Sequence, residues 1–254
     1  MEIKHIKKKK NNIYEIILSD NTSLSFYDDT IIKYNLLSNK SINNNELKEI
    51  NLFNSRLEAY YKAIKYINRK LRTKTEIIKY LKEYDKDIVN DVINRLVNEG
   101  YLNDELYISS YINDSVNLTL KGPLKIKNEL LKLKFLENKI DKYLNDIDEL
   151  LWIEKVKKII DKKINSNHKL SNNMLINKIK HDLINLGYEK ELINNELNNI
   201  VLDNDIELLK KEYLKIKKRL EKKYSGSELN YKIKQQLYQK GFSLEVIENL
   251  LNNN

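Results

Sequence analysis

Cysteine is absent from this chain, which excludes disulfides, thiolate metal sites and cysteine nucleophiles in one step. Proline occurs once and glycine five times in 254 residues, well below the usual share of either. A chain so poor in breakers favours long helices over many short strands and turns. Histidine is scarce as well. His168 lies in a polar turn and His181 beside Lys180, neither with a second ligand at i+3 or i+4, so no metal site and no cofactor is expected. Gly226 stands alone between serines, and no Gly-rich phosphate loop occurs elsewhere. No window approaches the apolar length of a membrane span. The basic start, Met1 to Lys10, is not followed by an apolar run, so a cytoplasmic location is expected. No catalytic constellation emerges, and the chain reads as a binder rather than an enzyme.

Hydrophobic residues make up 41%, enough to build real cores. The formal charge is +9, which invites a nucleic acid or an acidic protein surface as partner. That excess is spread along the chain rather than gathered in a tail. The abundance of Asn, Lys, Ile and Tyr is also what an AT-rich coding sequence produces.

The first 42 residues differ from the rest. Tyr14, Ile16 and Leu18 alternate with Glu15, Ile17 and Ser19, and Leu24 and Phe26 alternate with serines. Asp20-Asn21 between the runs is turn chemistry. Residues 1–42 therefore read as a β-hairpin, extended by Ile3 to Lys8, followed by a short helix. A unit this small must pack on the helix after it.

From about Asn43 the pattern is helical and repeats. Ile126, Leu130, Phe135, Ile140 and Leu144 are separated by steps of 4, 5, 5 and 4. The same steps separate Ile179, Leu183, Tyr188, Ile193 and Leu197, and again Ile233, Leu237, Phe242, Ile247 and Leu251. Ile77, Leu81, Tyr84, Val89 and Ile93 form an earlier copy with a shorter hinge. A step of four stays on one helical face; a step of five crosses a turn. Each copy is then a helix, a turn carrying an aromatic, and a second helix, with another helical stretch before it. The chain divides into three-helix modules, resembling helix-turn-helix units, at 43–100, 101–147, 148–200 and 201–254. Punctuation agrees. Thr73 and Glu76 form a capping box, Gly122-Pro123 puts proline at a helix start, and Gly100, Gly187 and Gly241 fall at helix ends. Such modules, stacked end to end, predict a mainly α, elongated and curved rod.

These motifs, taken in order, resemble the RecX family. Ala63-x-x-x-Ile67…Arg72-Thr73-x-x-Glu76-Ile77 is similar to its alanine helix, Arg-rich turn and capped second helix. Gly100-Tyr101-Leu102-Asn103-Asp104, then Tyr107, Tyr111 and Gly122-Pro123-x-x-Ile126-x-x-x-Leu130, is similar to its most recognisable block. Leu237-x-x-x-Gly241-Phe242-Ser243 resembles its last module, and the hairpin followed by Ile31-Ile32-Lys33-Tyr34-Asn35-Leu36 its long form. Two departures stand out. Lys70 occupies a common arginine position, and Lys134 replaces a glycine before Phe135, so a different turn type is expected there. The rod itself is expected to be a monomer, and the resemblance implies a cytoplasmic regulator that binds the RecA–DNA filament in its groove. It would restrain the ATPase, strand-exchange and coprotease activities of the recombinase.

Basic clusters are the candidate partner-binding residues, for the recombinase filament or for DNA phosphates, single- or double-stranded. Arg69, Lys70, Arg72 and Lys74 crowd the turn between two helices of the first module, and Lys121, Lys125 and Lys127 bracket the start at Gly122-Pro123. The two groups occupy equivalent places in the repeat, so stacked modules would present them in a line. Lys217, Lys218, Arg219 and Lys222 form a secondary basic face in the last module. Each lysine group also reads as a solvated helix face. Most of the 17 tyrosines, among them Tyr66, Tyr80, Tyr188 and Tyr231, are expected in cores, and Trp152 in a core or between modules. Two other functions fit the same features: a sequence-independent helix-turn-helix DNA binder, and a helical-repeat protein scaffold.

Overall fold

The computed structural model describes residues 1–39, 41–200, 202 and 205–252. The chain forms two compact units, Met1–Tyr107 and Ile108–Asn254. The expected boundary at 200/201 falls on Val201, which, like the last two residues expected in the fourth module, lies outside the described residues.

The first unit opens with β1 (Ile3–Lys8), β2 (Ile13–Leu18) and β3 (Ser23–Tyr27), an antiparallel sheet in chain order. The Asp20-Asn21 turn forms as its chemistry dictates. Asn21 takes a left-handed φ of 67°, and the Asp20 carboxylate accepts the Thr22 N–H at 2.9 Å. The alternation buries Ile16, Leu18 and Phe26 with Ile31 of α1 (Asp28–Lys33), Leu36, Ile42 and Ile50. Ile50 belongs to α2 (Asn44–Ile67), the helix on which the sheet packs. Asn54 of α2 rivets the two together: its side-chain oxygen accepts the Tyr27 N–H at 2.9 Å and the Thr30 hydroxyl at 3.1 Å. The far half of α2 joins α3 (Lys74–Tyr80) and α4 (Lys86–Asn98) around Ala59, Ala63, Ile67, Ile77, Leu81, Val89, Val92 and Leu96. Val92, rather than the expected Ile93, takes the innermost place, and Ile93 packs against its edge.

The cut between the units falls inside α5 (Asp104–Leu118). After it come α6 (Pro123–Lys132), α7 (Glu137–Asn145), α8 (Glu149–Asn165), α9 (Asn172–Leu186), α10 (Lys190–Asn198), α11 (Ile206–Leu220), α12 (Gly226–Gln239) and α13 (Leu244–Asn252). From α2 onward the helices run as four triplets. In the second triplet, α5–α7, Ile126, Leu130, Ile140 and Leu144 are buried. In the third, α8–α10, so are all five repeat positions from Ile179 to Leu197. In the last, α11–α13, Ile233, Leu237, Phe242 and Ile247 are buried, with Leu250 more enclosed than Leu251.

The first step of five in each of these copies is a left-handed helix stop. Gly187 and Gly241 have φ of 86° and 82°, which costs glycine nothing. The aromatic's N–H returns to the carbonyl five residues back, from Tyr188 to Leu183 at 3.1 Å and from Phe242 to Leu237 at 3.3 Å, the Schellman arrangement. Lys134 does not change the turn type, contrary to expectation. It adopts φ 70° and Phe135 returns its N–H to Leu130 at 3.4 Å. The helix end needs those carbonyls satisfied whatever the residue. Phe135 is, however, only half-buried, whereas Tyr188 and Phe242 are enclosed.

Within the second unit, neighbouring triplets meet at one repeated place: the start of a triplet's second helix touches the glycine turn of the next triplet. Gly122 donates its N–H to Leu186 O at 2.7 Å, and Leu124 to Gly187 O at 3.0 Å. At the next junction Ser171 donates its hydroxyl to Lys240 O at 2.6 Å, and Asn173 its side-chain amide to Gly241 O at 3.0 Å. Around the first junction Trp152 is buried and meets Tyr188 edge-on, ring centroids 6.4 Å apart, a contact within the third triplet, and it lines a cavity with Pro123, Leu124 and Leu144 of the second. Lys155 from α8 donates to Val116 O and to Thr119 O, the latter at 3.0 Å. A cation there satisfies carbonyls at the end of α5, where the helix dipole favours positive charge. Burial pushes the Lys155 ammonium below its ordinary pKa.

Candidate partner-binding surface

The Arg-rich turn of the first unit follows from where α2 stops and α3 starts. Thr73 caps α3 and Glu76 reciprocates, so the capping box forms. Glu76 Oε2 accepts the Thr73 N–H at 2.9 Å, and its Oε1 accepts from Arg72 Nη1 at 3.0 Å. Burial opposes ionisation of Glu76, but the Thr73 N–H and the Arg72 guanidinium outweigh it and hold the carboxyl below its ordinary pKa. The Arg72 guanidinium also lies 3.7 Å from the Tyr66 ring centroid. Tyr66 is stacked in turn on Tyr80, centroids 4.1 Å apart with planes 10° from parallel. With 12% of its side chain exposed, Arg72 is a brace between α2 and α3.

The other three members of the group point outward. Lys74 sits 3.6 Å from Asp104 and Lys70 3.9 Å from Glu76, both exposed pairs of small energetic weight. Arg69 is exposed and makes no ion pair or hydrogen bond among the described residues.

The second group lies in the other unit. Lys121 pairs with Glu129 at 2.6 Å, and Tyr111 donates to the same carboxylate oxygen at 2.5 Å. The Glu129 hydrogen bond raises the Lys121 pKa. Lys127 is held between Glu137 and Asp141, both at 2.7 Å. Lys125 is part of the junction, its backbone against Gly187 and its ammonium 3.4 Å from Asn185 O. These lysines are engaged inside the fold far more than their spacing in the sequence suggests.

The secondary face is split. Lys217 leans over the Tyr213 ring at 5.4 Å. Lys218, Arg219 and Lys222 line a groove of about 400 Å³ instead, with Lys215 and Lys240. Lys240, from the end of α12, is the residue that linear reading misses, because only the packing of α12 on α11 brings it there. Tyrosines divide too: Tyr188 is core, but Tyr231 is 64% and Tyr80 39% exposed, corrections to their expected burial. Among the described residues no helix is long and apolar enough to cross a membrane, and no cluster of His, Asp and Glu is arranged to hold a metal.

The architecture is that of a helical-repeat protein with a small N-terminal sheet. Residues 59–96 match the model of the first three-helix domain of RecX, and residues 203–251 that of the third. The chain is 30% identical to the regulatory protein RecX of Streptococcus uberis, over 99% of this chain and 98% of that protein. It is also 30% identical to the regulatory protein RecX of Lactococcus lactis subsp. cremoris, over 96% and 95%. A crystal structure of regulatory protein RecX shares its fold with a TM-score of 0.67 at 21% identity, covering 78% of this chain and 99% of the other. RecX from Lactobacillus salivarius superposes with a TM-score of 0.52 at 28% identity, over 56% and 94%. This chain belongs to the RecX family of regulatory proteins.

Proposed function

We propose that this chain is a non-enzymatic, cytoplasmic and monomeric regulator that binds the RecA–DNA filament and restrains the recombinase. Each helix triplet is one module in this reading, and the modules carry the binding residues. The observation that carries the proposal is the full-length similarity to regulatory proteins of the RecX family, hairpin included. The chemistry of the first unit supports it: Arg69 and Lys70 are held outward by a turn that Arg72, Tyr66 and Glu76 brace from below. Exposed cations on a stiff mount suit acidic side chains or phosphates, and arginine pairs with either in a bidentate fork. Arg72 belongs to the mount, so a partner-binding test should leave it in place.

Co-sedimentation with the host recombinase tests the proposal. The chain should pellet with recombinase assembled on single-stranded DNA with a slowly hydrolysed ATP analogue. It should stay in the supernatant with recombinase lacking DNA and nucleotide. Equal recovery with and without filaments would contradict filament binding.

A further inference from the structure

We propose that the groove between α11 and α12 is a direct binding site for the phosphate backbone of DNA, independent of the recombinase. The groove gathers Lys215, Lys218, Arg219, Lys222 and Lys240 around one carboxylate, Glu212. Four of those cations sit on or just past α11 at helical spacing, so they share a face. Lys240 reaches the groove from the neighbouring helix, held 2.9 Å from Glu212. The Glu212 carboxyl is held below its ordinary pKa, chiefly by the Lys240 ammonium beside it.

Charge compensation separates this site from the other basic groups. Lys121 faces Glu129, Lys127 faces Glu137 and Asp141, and Arg72 faces Glu76. In the groove, Arg219 is held by the neutral Gln236 amide and keeps its charge uncompensated. Lys218 and Lys222 have no acidic partner among the described residues. Lys215 is 76% exposed and only 3.9 Å from the carboxylate that already holds Lys240. Cations packed this closely repel one another until an anion arrives.

The lining also selects the kind of anion. Among the described residues, Ile216 is the one apolar side chain in it, whereas protein partners need buried apolar or aromatic anchors. No aromatic ring among them lines it either, so base stacking is not supplied and the contact is to the backbone, without sequence preference. From Lys215 to its end at Leu220 the helix rises about 7.5 Å, with Lys222 just past it, enough for at least two consecutive phosphates of one strand.

The test uses the full chain without recombinase and two fluorescent 40-mers, one single-stranded dT and one duplex, titrated between 50 and 200 mM salt. The variant Lys218→Gln with Lys222→Gln should bind at least ten-fold more weakly than wild type. Its log–log salt slope on duplex should be shallower by about 2, near one for each phosphate no longer neutralised. Lys7→Gln with Lys9→Gln, at the end of β1, removes the same charge far along the chain and should change binding by less than two-fold. Both pairs of lysines are exposed, and circular dichroism melting checks that both variants fold. Equal weakening in the two variants would reduce the effect to net charge and overturn the site, as would failure of the wild type to bind either oligonucleotide. Preference for one oligonucleotide identifies which form of the backbone the groove takes. Because no recombinase is present, failure here leaves the filament proposal standing, and filament co-sedimentation tests that separately.

Discussion

The two junctions within the second unit occupy the same place in the repeat and are made differently. At the first, backbone meets backbone: a Cβ added to Gly187 would lie 2.4 Å from Lys125 N, and one added to Gly122 would lie 2.6 Å from Gly187 C. At the second, a serine stands at the equivalent of Gly122, and its hydroxyl spans the gap to Lys240 O. A Cβ on Gly241 would meet Met174 Cγ at 2.5 Å and Ser171 Oγ at 2.7 Å, mobile side chains rather than peptide. The repeat therefore keeps a junction, not a residue. Glycine is required where two main chains touch, and a small hydroxyl serves where they stand slightly apart.

That difference sets an order of stabilities, read from urea unfolding followed by Trp152 fluorescence, since the single tryptophan packs on Tyr188 beside the first junction. Gly187→Ala should have the largest effect, a destabilisation of about 3 kcal/mol, combining a left-handed φ with a clash against immovable backbone. Gly241→Ala should cost about half as much, roughly 1.5 kcal/mol, because Met174 can swing aside while the φ penalty remains. Equal destabilisation at the two glycines would break the distinction between the junctions.

Smaller changes sharpen it. Ser171→Ala should cost about 1 kcal/mol by leaving Lys240 O without its hydroxyl donor. Lys134→Gly should act in the opposite direction, stabilising by roughly 0.5 kcal/mol, since it relieves a left-handed lysine but adds freedom to the unfolded chain. Differential scanning calorimetry on both variants checks the signs. A destabilised Lys134→Gly would show that the lysine side chain contributes more than its strained backbone takes away.

Much of this fold was legible in the linear pattern because its signals are local. The 4-5-5-4 steps place buried residues in every triplet, and the capping box at Thr73 and the helix stops at Gly187 and Gly241 form where their chemistry sits. What stayed hidden depends on tertiary approach. The contact of Gly122 with Gly187 joins segments far apart in the chain, and nothing near either glycine announces it. Arg72 read as a partner-binding cation because its i+4 pairing with Glu76 is visible but its seat on Tyr66 is not. Lys240 joined the basic groove only once α12 had packed on α11. Lysine charge is easy to count, but whether an acid from another helix cancels it is a property of the fold.

The most direct test of the central claim is the single-stranded-DNA-dependent ATPase of the host recombinase, titrated with the wild-type chain and with Arg69→Ala, Lys70→Ala. The wild type should inhibit, and the variant should need roughly ten-fold more protein for the same inhibition, about 1.4 kcal/mol of binding free energy. Lys7→Ala with Lys9→Ala beside the sheet's first turn should inhibit like wild type. No inhibition by the wild type would contradict the regulatory reading, and full inhibition by the arginine variant with failure of the sheet variant would place the working surface on the N-terminal sheet.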